Sequence, residues 1–167
     1  MYDQVEGLLA FSRVSGSVEN SVEVNLNKVL KNALENLSIQ IETSKAKIKS
    51  QALPKIIGNE TLLIQVFQNL LSNALKFCKQ TPKIEISYQI LDVYCQIDFK
   101  DNGIGFNMQY KEKIFDMFKR LNNRDEFSGE GIGLALSKRI ILQHKGFIFV
   151  KSKIDKGSTF TISLPQK

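Results

Sequence analysis

Asn69, Asn73 and Lys76 stand at i, i+4 and i+7 within "QNLLSNALKF". On a helix of 3.6 residues per turn that spacing sets two amides and an ammonium on one side. Amide oxygens ligate a hard cation such as Mg²⁺, and a lysine meets a phosphate as a point charge, so the trio suits a metal-bound polyphosphate. A lone N-x-x-x-N is ordinarily a solvated helix face, so the chemistry needs further parts. Two glycine strings offer them. In "DNGIGF" (101–106) Asp101 follows an alternating run, and Gly103 and Gly105 would let the backbone approach a ligand while the carboxylate accepts a hydrogen bond, as from an amino group. In "GEGIGLALSKRI" (129–140) Gly129, Gly131 and Gly133 precede a helical pattern, where free N–H groups and the helix dipole favour anions. Either string alone would also serve as a turn. Neither has the G-x-x-x-x-G-K-[ST] of a Walker loop or the early strand and G-x-G-x-x-G of a dinucleotide site.

The elements that must position these residues are legible in the apolar periodicity. From Leu26, the positions Val29, Leu30, Ala33, Leu34, Leu37 and Ile41 keep helical spacing and predict one helix with a buried stripe. A short strand follows over 46–51. A second helix from Glu60 buries Leu63, Val66, Phe67, Leu70, Leu71, Ala74 and Leu75 and carries the two asparagines. Alternating runs at 83–90 and 93–99, joined by Leu91 and Asp92, predict a hairpin that runs into Asp101. Residues 109–121 have the spacing of a short helix, 122–130 are polar, and 131–144 predict a helix. Strands at 146–152 and 158–165 flank a turn at 153–157. This intermixing predicts an α/β (α+β) two-layer sandwich, a mixed, mostly antiparallel sheet with helices on one face. Residues 1–20 read as the end of an amphipathic helix, with Leu8, Leu9 and Phe11, plus a polar hinge; residues 21–167 form the domain proper.

At 167 residues and 43% hydrophobic content the chain suits one domain with an ordinary core. No apolar run nears the roughly 20 residues of a membrane-spanning helix, and the amino terminus lacks the pattern of a secretory signal. A soluble, cytoplasmic domain is expected, with Cys78 and Cys95 reduced. Those cysteines and His144 form no spaced zinc cluster. The charge of +6 is scattered among acids rather than gathered in a stripe with aromatics, which argues against nucleic acid and is compatible with a polyphosphate.

The order and joint presence of "NLLSNALKF" (69–77), "DNGIGF" (101–106), "IFDMFKRL" (114–121) and "GEGIGLALSKRI" (129–140) resemble the N, first-glycine, F and second-glycine boxes of the sensor histidine kinases. The likeness runs from about Val22 to Pro165 and includes the closing "GSTFTISLP". It implies the Bergerat-type ATP-binding fold shared with gyrase, Hsp90 and MutL, with ATP and Mg²⁺ as cofactors and a lid between the third and fourth boxes. By resemblance, Asp101 reads the adenine amino group, Asn73 ligates Mg²⁺ with Asn69 beside it, and Phe77 lies against the base. Asn69, Lys76 and Arg120 are the implied catalytic positions, Lys76 and Arg120 being aimed at phosphate. Gly103, Gly105, Gly129, Gly131, Gly133 and Leu134 complete the implied ATP-binding set, while Phe115 and Phe118 pack the base of the lid. The leading segment then resembles the tail of the second helix of a dimerisation and phosphotransfer hairpin.

Two positions depart from the family pattern. Lys145 stands where a glycine is usual, in a turn, and no histidine precedes Asn69. His144 follows the last predicted helix and suits a helix-end or core role, so the phosphoacceptor and its acidic neighbour are absent. The resemblance therefore implies the catalytic portion of a two-component kinase that phosphorylates a histidine outside this chain. Its partners would be the histidine-bearing dimerisation domain of a homodimeric parent, soluble or membrane-anchored, and a response regulator receiver domain; the piece itself would be monomeric. The alternatives are a gyrase- or Hsp90-like conformational ATPase, in which Glu stands at the place of Asn69, and a non-catalytic binding module of the same fold.

Overall fold

A computed structural model describes residues 9, 12, 21–119, 121 and 131–166. Strand β1 (Val22–Asn25) leads directly into helix α1 (Leu26–Asn36), where the Asn25 side chain accepts from the N–H of Asn27 as an N-cap. Helix α1 buries Leu26, Val29, Leu30 and Ala33, the predicted stripe. It stops earlier than the periodicity predicts, because Leu37 turns inward, 2% exposed, with φ −105° and ψ 9°. A separate short helix α2 (Ser38–Ser44) then runs over the surface with no buried residue and ends at Lys45 in the left-handed region. Strand β2 (Lys47–Ser50) and strand β3 (Lys55–Gly58) precede helix α3 (Glu60–Lys76). The Asn59 side chain caps α3 by accepting from the N–H of Leu62, and Glu60 and Lys76 match the helix dipole at its two ends.

Strands β4 (Lys83–Leu91) and β5 (Tyr94–Asp101) form the predicted hairpin, and β6 (Phe147–Lys153) and β7 (Gly157–Pro165) a second. The main sheet has the order β2-β4-β5-β7-β6, with β2 parallel to β4 and every other pair antiparallel. Strands β1 and β3 pair separately as an antiparallel ribbon that the sequence reading did not include. Ile84, Ile86, Cys95, Ile97, Phe99, Phe160, Ile162 and Leu164 fill the helix-facing side of the sheet. Phe67 of α3 meets Phe99 edge-on, ring centroids 4.9 Å apart. Period-two alternation continues the Cys95, Ile97, Phe99 row to Asp101, so the carboxylate emerges on the helix side at the end of the strand.

Between β5 and the last helix, α4 (Gly133–Gln143), the predicted helix over 109–121 does not form. Two single 3₁₀ turns, Met108–Tyr110 and Lys113–Phe115, take its place. Phe118 has φ 60° and donates its N–H to the carbonyl of Gly131 at 2.9 Å, turning the chain back toward the start of α4. Phe115 is buried at the wall of the core with the Lys138 ammonium of α4 over its ring. Phe118, which the resemblance paired with it, is 46% exposed instead. Helix α4 ends with the Lys145 N–H on Leu142 and the Gly146 N–H on Ile141, a Schellman closure. Lys145 fills the left-handed position of that closure with φ 57°, where a side chain costs roughly 1–2 kcal/mol.

Candidate functional site

The C-terminal end of α3, the loop after β5, the 3₁₀ segment, the start of α4 and the start of β7 enclose a cavity of about 480 Å³. Helix α3 contributes Asn73, Ala74 and Lys76, with Phe77 just beyond. The first glycine string contributes Asp101, Ile104, Gly105 and Phe106; the second, Gly131, Ile132, Gly133 and Leu134. Eight of the residues singled out from sequence thus meet at one opening: Asn73, Lys76, Phe77, Asp101, Gly105, Gly131, Gly133 and Leu134.

Asp101 is held by backbone. Its Oδ1 accepts from the N–H of Gly103 at 2.8 Å and from the N–H of Ser158 at 3.1 Å, which leaves Oδ2 as the carboxylate oxygen without a donor among the described residues. Burial pushes the Asp101 carboxyl above its ordinary value, and the two backbone donors pull the other way. Gly103 lies behind the wall rather than on it, since a Cβ there would strike the Phe77 carbonyl and stand 2.8 Å from Asp101 Oδ1. That carbonyl accepts from the N–H of Ile104 at 2.8 Å, tying the loop to the end of α3. Gly105, at φ 59°, lies where a side chain would collide with the Lys153 carbonyl, so the loop is also seated on the β6–β7 turn. Ser152 completes the seat: its hydroxyl accepts from the N–H of Phe106 and meets the Ser158 hydroxyl at 2.9 Å.

Other parts of the cavity lining suit negative charge. No side chain caps α4, so its first turn offers backbone N–H groups there. Lys76, Lys113 and Lys119 line the same cavity, and the Lys76 ammonium lies 4.5 Å from the centre of the Phe77 ring. Asn69 is placed differently from Asn73: its Nδ2 donates to the Gly133 carbonyl at 3.1 Å and to the Ser137 hydroxyl at 3.3 Å, binding α3 to α4 beside the cavity. Arg120 and Gly129, and the lid segment expected over 121–130 apart from Leu121, lie outside the described residues. His144 is buried at the end of α4, with Nδ1 2.8 Å from the Ile140 carbonyl and Nε2 accepting from the N–H of Asn59 at 3.0 Å.

Sequence reasoning missed Lys113 and Lys119, the apolar wall of Ile104, Phe106, Ile114 and Phe160, and the two serines Ser137 and Ser158. Only Ser158 had a signal, as the first residue after the glycine of the closing strand. The pattern of the histidine kinase-, DNA gyrase B- and HSP90-like ATPases matches residues 58–167. The chain belongs to this family. It is 37% identical over 166 residues to cyanobacterial phytochrome A of a Nostoc species, covering 99% of this chain and 22% of the phytochrome. It is 29% identical over 169 residues to the sensor-like histidine kinase SenX3 of Mycobacterium tuberculosis, covering 98% of this chain and 41% of that kinase. The chain therefore spans well under half the length of these relatives. Among solved structures, full-length ShkA in complex with AMPPNP superposes with a TM-score of 0.82 at 22% identity, over 98% of this chain and 35% of that one. The family's two-layer sandwich, with its mixed, mostly antiparallel sheet, is the fold found here.

Proposed function

We propose that this domain binds Mg²⁺–ATP and donates the γ-phosphate to a histidine carried by another part of its parent kinase. The carrying observation is that a backbone-fixed carboxylate and an uncapped helix start line one cavity. Asp101 Oδ2 suits an amino group on a base, the apolar wall suits the ring, and the α4 start with Lys76 suits the triphosphate. Membership of an ATPase family and sequence likeness to a sensor-like histidine kinase support the same reading.

Among the described residues no group of three His, Cys, Asp or Glu gathers to hold a resident metal. The amide of Asn73 at the cavity suits an Mg²⁺ that keeps waters and phosphate oxygens as its other ligands. Such an ion would neutralise charge on the transferred phosphoryl group. The chain's own task is placement: Asp101 orients the base, and the α4 amides and the lysines hold the phosphates in line. Asn69 stands where resemblance places the general base of hydrolysing relatives, and an amide does not activate water, which favours the kinase reading over the conformational ATPase. A receiver domain would take the phosphoryl group next, and the parent would act as a dimer.

The test is incubation with γ-labelled ATP, with and without a separate helical hairpin that carries an acceptor histidine. The chain alone should bind ATP yet stay unlabelled, with turnover far below the roughly 1–100 s⁻¹ of working kinases. Adding the hairpin should give acid-labile label on the hairpin, slowly, because no tether raises its effective concentration. Acid-labile label on the chain alone, lost on His144→Ala, would defeat the proposal, as would a hairpin that stays unlabelled at saturating ATP.

A further inference from the structure

Ser137 lies fully buried one turn into α4, away from the cavity wall. Its hydroxyl donates to the Gly133 carbonyl at 2.9 Å, the back-bond that helical serines commonly make. A second partner sets it apart, because the Asn69 Nδ2 of α3 reaches the same hydroxyl at 3.3 Å and the same carbonyl at 3.1 Å. The polarity of this triangle is determined. A carbonyl only accepts, so the single hydroxyl hydrogen of Ser137 points at Gly133 and its lone pair faces Asn69. An NH₂ fits against a carbonyl oxygen and a lone pair; an amide oxygen turned there would face two acceptors.

The Asn69 amide is thereby oriented with Nδ2 toward α4 and Oδ1 directed elsewhere. That oxygen accepts no hydrogen bond among the described residues. The amide lies beside a glycine that lines the cavity and one helical turn from Asn73, with Oδ1 3.6 Å and Nδ2 3.7 Å from the point a Cβ on Gly133 would occupy. We infer that Ser137 is a positioning residue for the metal–phosphate part of the site: its hydroxyl fixes the Asn69 amide so that Oδ1 is offered to the Mg²⁺–triphosphate. The inference rests on the Mg²⁺–ATP reading above. Asn69 then acts as a donor to the scaffold through Nδ2 and as an acceptor for the ligand through Oδ1. A hydrocarbon at position 137 would leave the amide with one anchor in place of two.

Calorimetry with AMPPNP, in Mg²⁺ and again in EDTA, reads this directly as the factor by which Mg²⁺ tightens binding. Ser137→Ala should lower that factor about fivefold, the effect of one neutral hydrogen bond, with affinity in EDTA nearly unchanged. Ser137→Thr keeps the hydroxyl and should keep the factor. Alanine is the best helix former, so the alanine variant is expected to fold, and its melting temperature checks this. A second readout is the side-chain NH₂ signal of Asn69 in nitrogen-resolved NMR, which should shift in Ser137→Ala and not in Ser137→Thr. An unchanged Mg²⁺ factor in Ser137→Ala would overturn the inference alone. So would an equal loss with and without Mg²⁺ accompanied by a lower melting temperature, since that describes packing. Failure of the unsubstituted chain to bind AMPPNP would overturn the nucleotide reading and this inference with it.

Discussion

At Asp101 a backbone network decides what a substitution can do. Because Oδ1 takes two N–H donors, Asp101→Asn must keep its amide oxygen there and turn its NH₂ into the cavity, toward the amino group the carboxylate would accept from. Adenine-nucleotide affinity should fall by roughly 1.5–3 kcal/mol, measured by calorimetry. The same variant should hold or raise its melting temperature at neutral pH. The reason is the sign of the shift: a carboxyl raised above the ordinary 3.8 stabilises the fold only while protonated, and that contribution is lost as pH rises through the folded value. Nucleotide affinity should correspondingly begin to fall on acidification at a higher pH than an ordinary aspartate would give. A melting temperature that dropped with the affinity would show that the charge serves the fold and not the ligand. The place of Asp101 at the cavity was legible because alternation and two glycines marked it. Those of Ser137 and Ser158 were harder to read, since each bonds a partner 57 or more residues away, and only Ser158 left a mark, directly after the glycine of the closing strand.

Helices α3 and α4 are joined twice, by Asn69 at the start of α4 and by His144 at its end. His144 bridges as a neutral ring, its Nδ1–H donated to Ile140 and its Nε2 accepting from Asn59 at the cap of α3. Burial lowers its pKa below 6.5, with the Ile140 bond opposing. The stability it contributes is therefore complete above about 6.5 and is lost as pH falls from there through the lower folded value. Melting temperature followed from pH 8 to 5 should show this decline, and His144→Ala should remove that slope while costing about 1–3 kcal/mol through the lost hydrogen bond from the Asn59 N–H. A slope that survived in the variant would assign it to other groups. Helices α1, α3 and α4 could be read from sequence because each repeats its stripe over several turns. The 109–121 segment misled because Ile114, Phe115 and Phe118 have helical spacing, yet Phe118 is spent on a left-handed reversal against Gly131. Strands β1 and β3 give only four residues each, too short for alternation to stand out, and they pair across 30 to 36 positions.

In the whole molecule the cavity lies where the helix layer meets the end of the sheet, so a bound nucleotide should bridge both layers. At 100 times its dissociation constant, ADP with Mg²⁺ should raise the melting temperature by about 5–10 °C, and Asp101→Asn should keep at most about half of that rise at the same concentration. A large rise retained by the variant would place the nucleotide elsewhere. The sandwich was legible because helices and hairpins alternate along the chain, but the strand order was not, since β7 inserts between β5 and β6. That insertion also sets a timetable during synthesis. Asp101 leaves the ribosome 57 residues before the Ser158 N–H that holds it, roughly 3–11 s at cellular elongation rates. Over that interval the apolar row of β5 lacks its central neighbour, a nascent edge open to foreign strands and to chaperones. The newborn domain therefore cannot fix its Asp101 carboxylate until its closing hairpin has been translated.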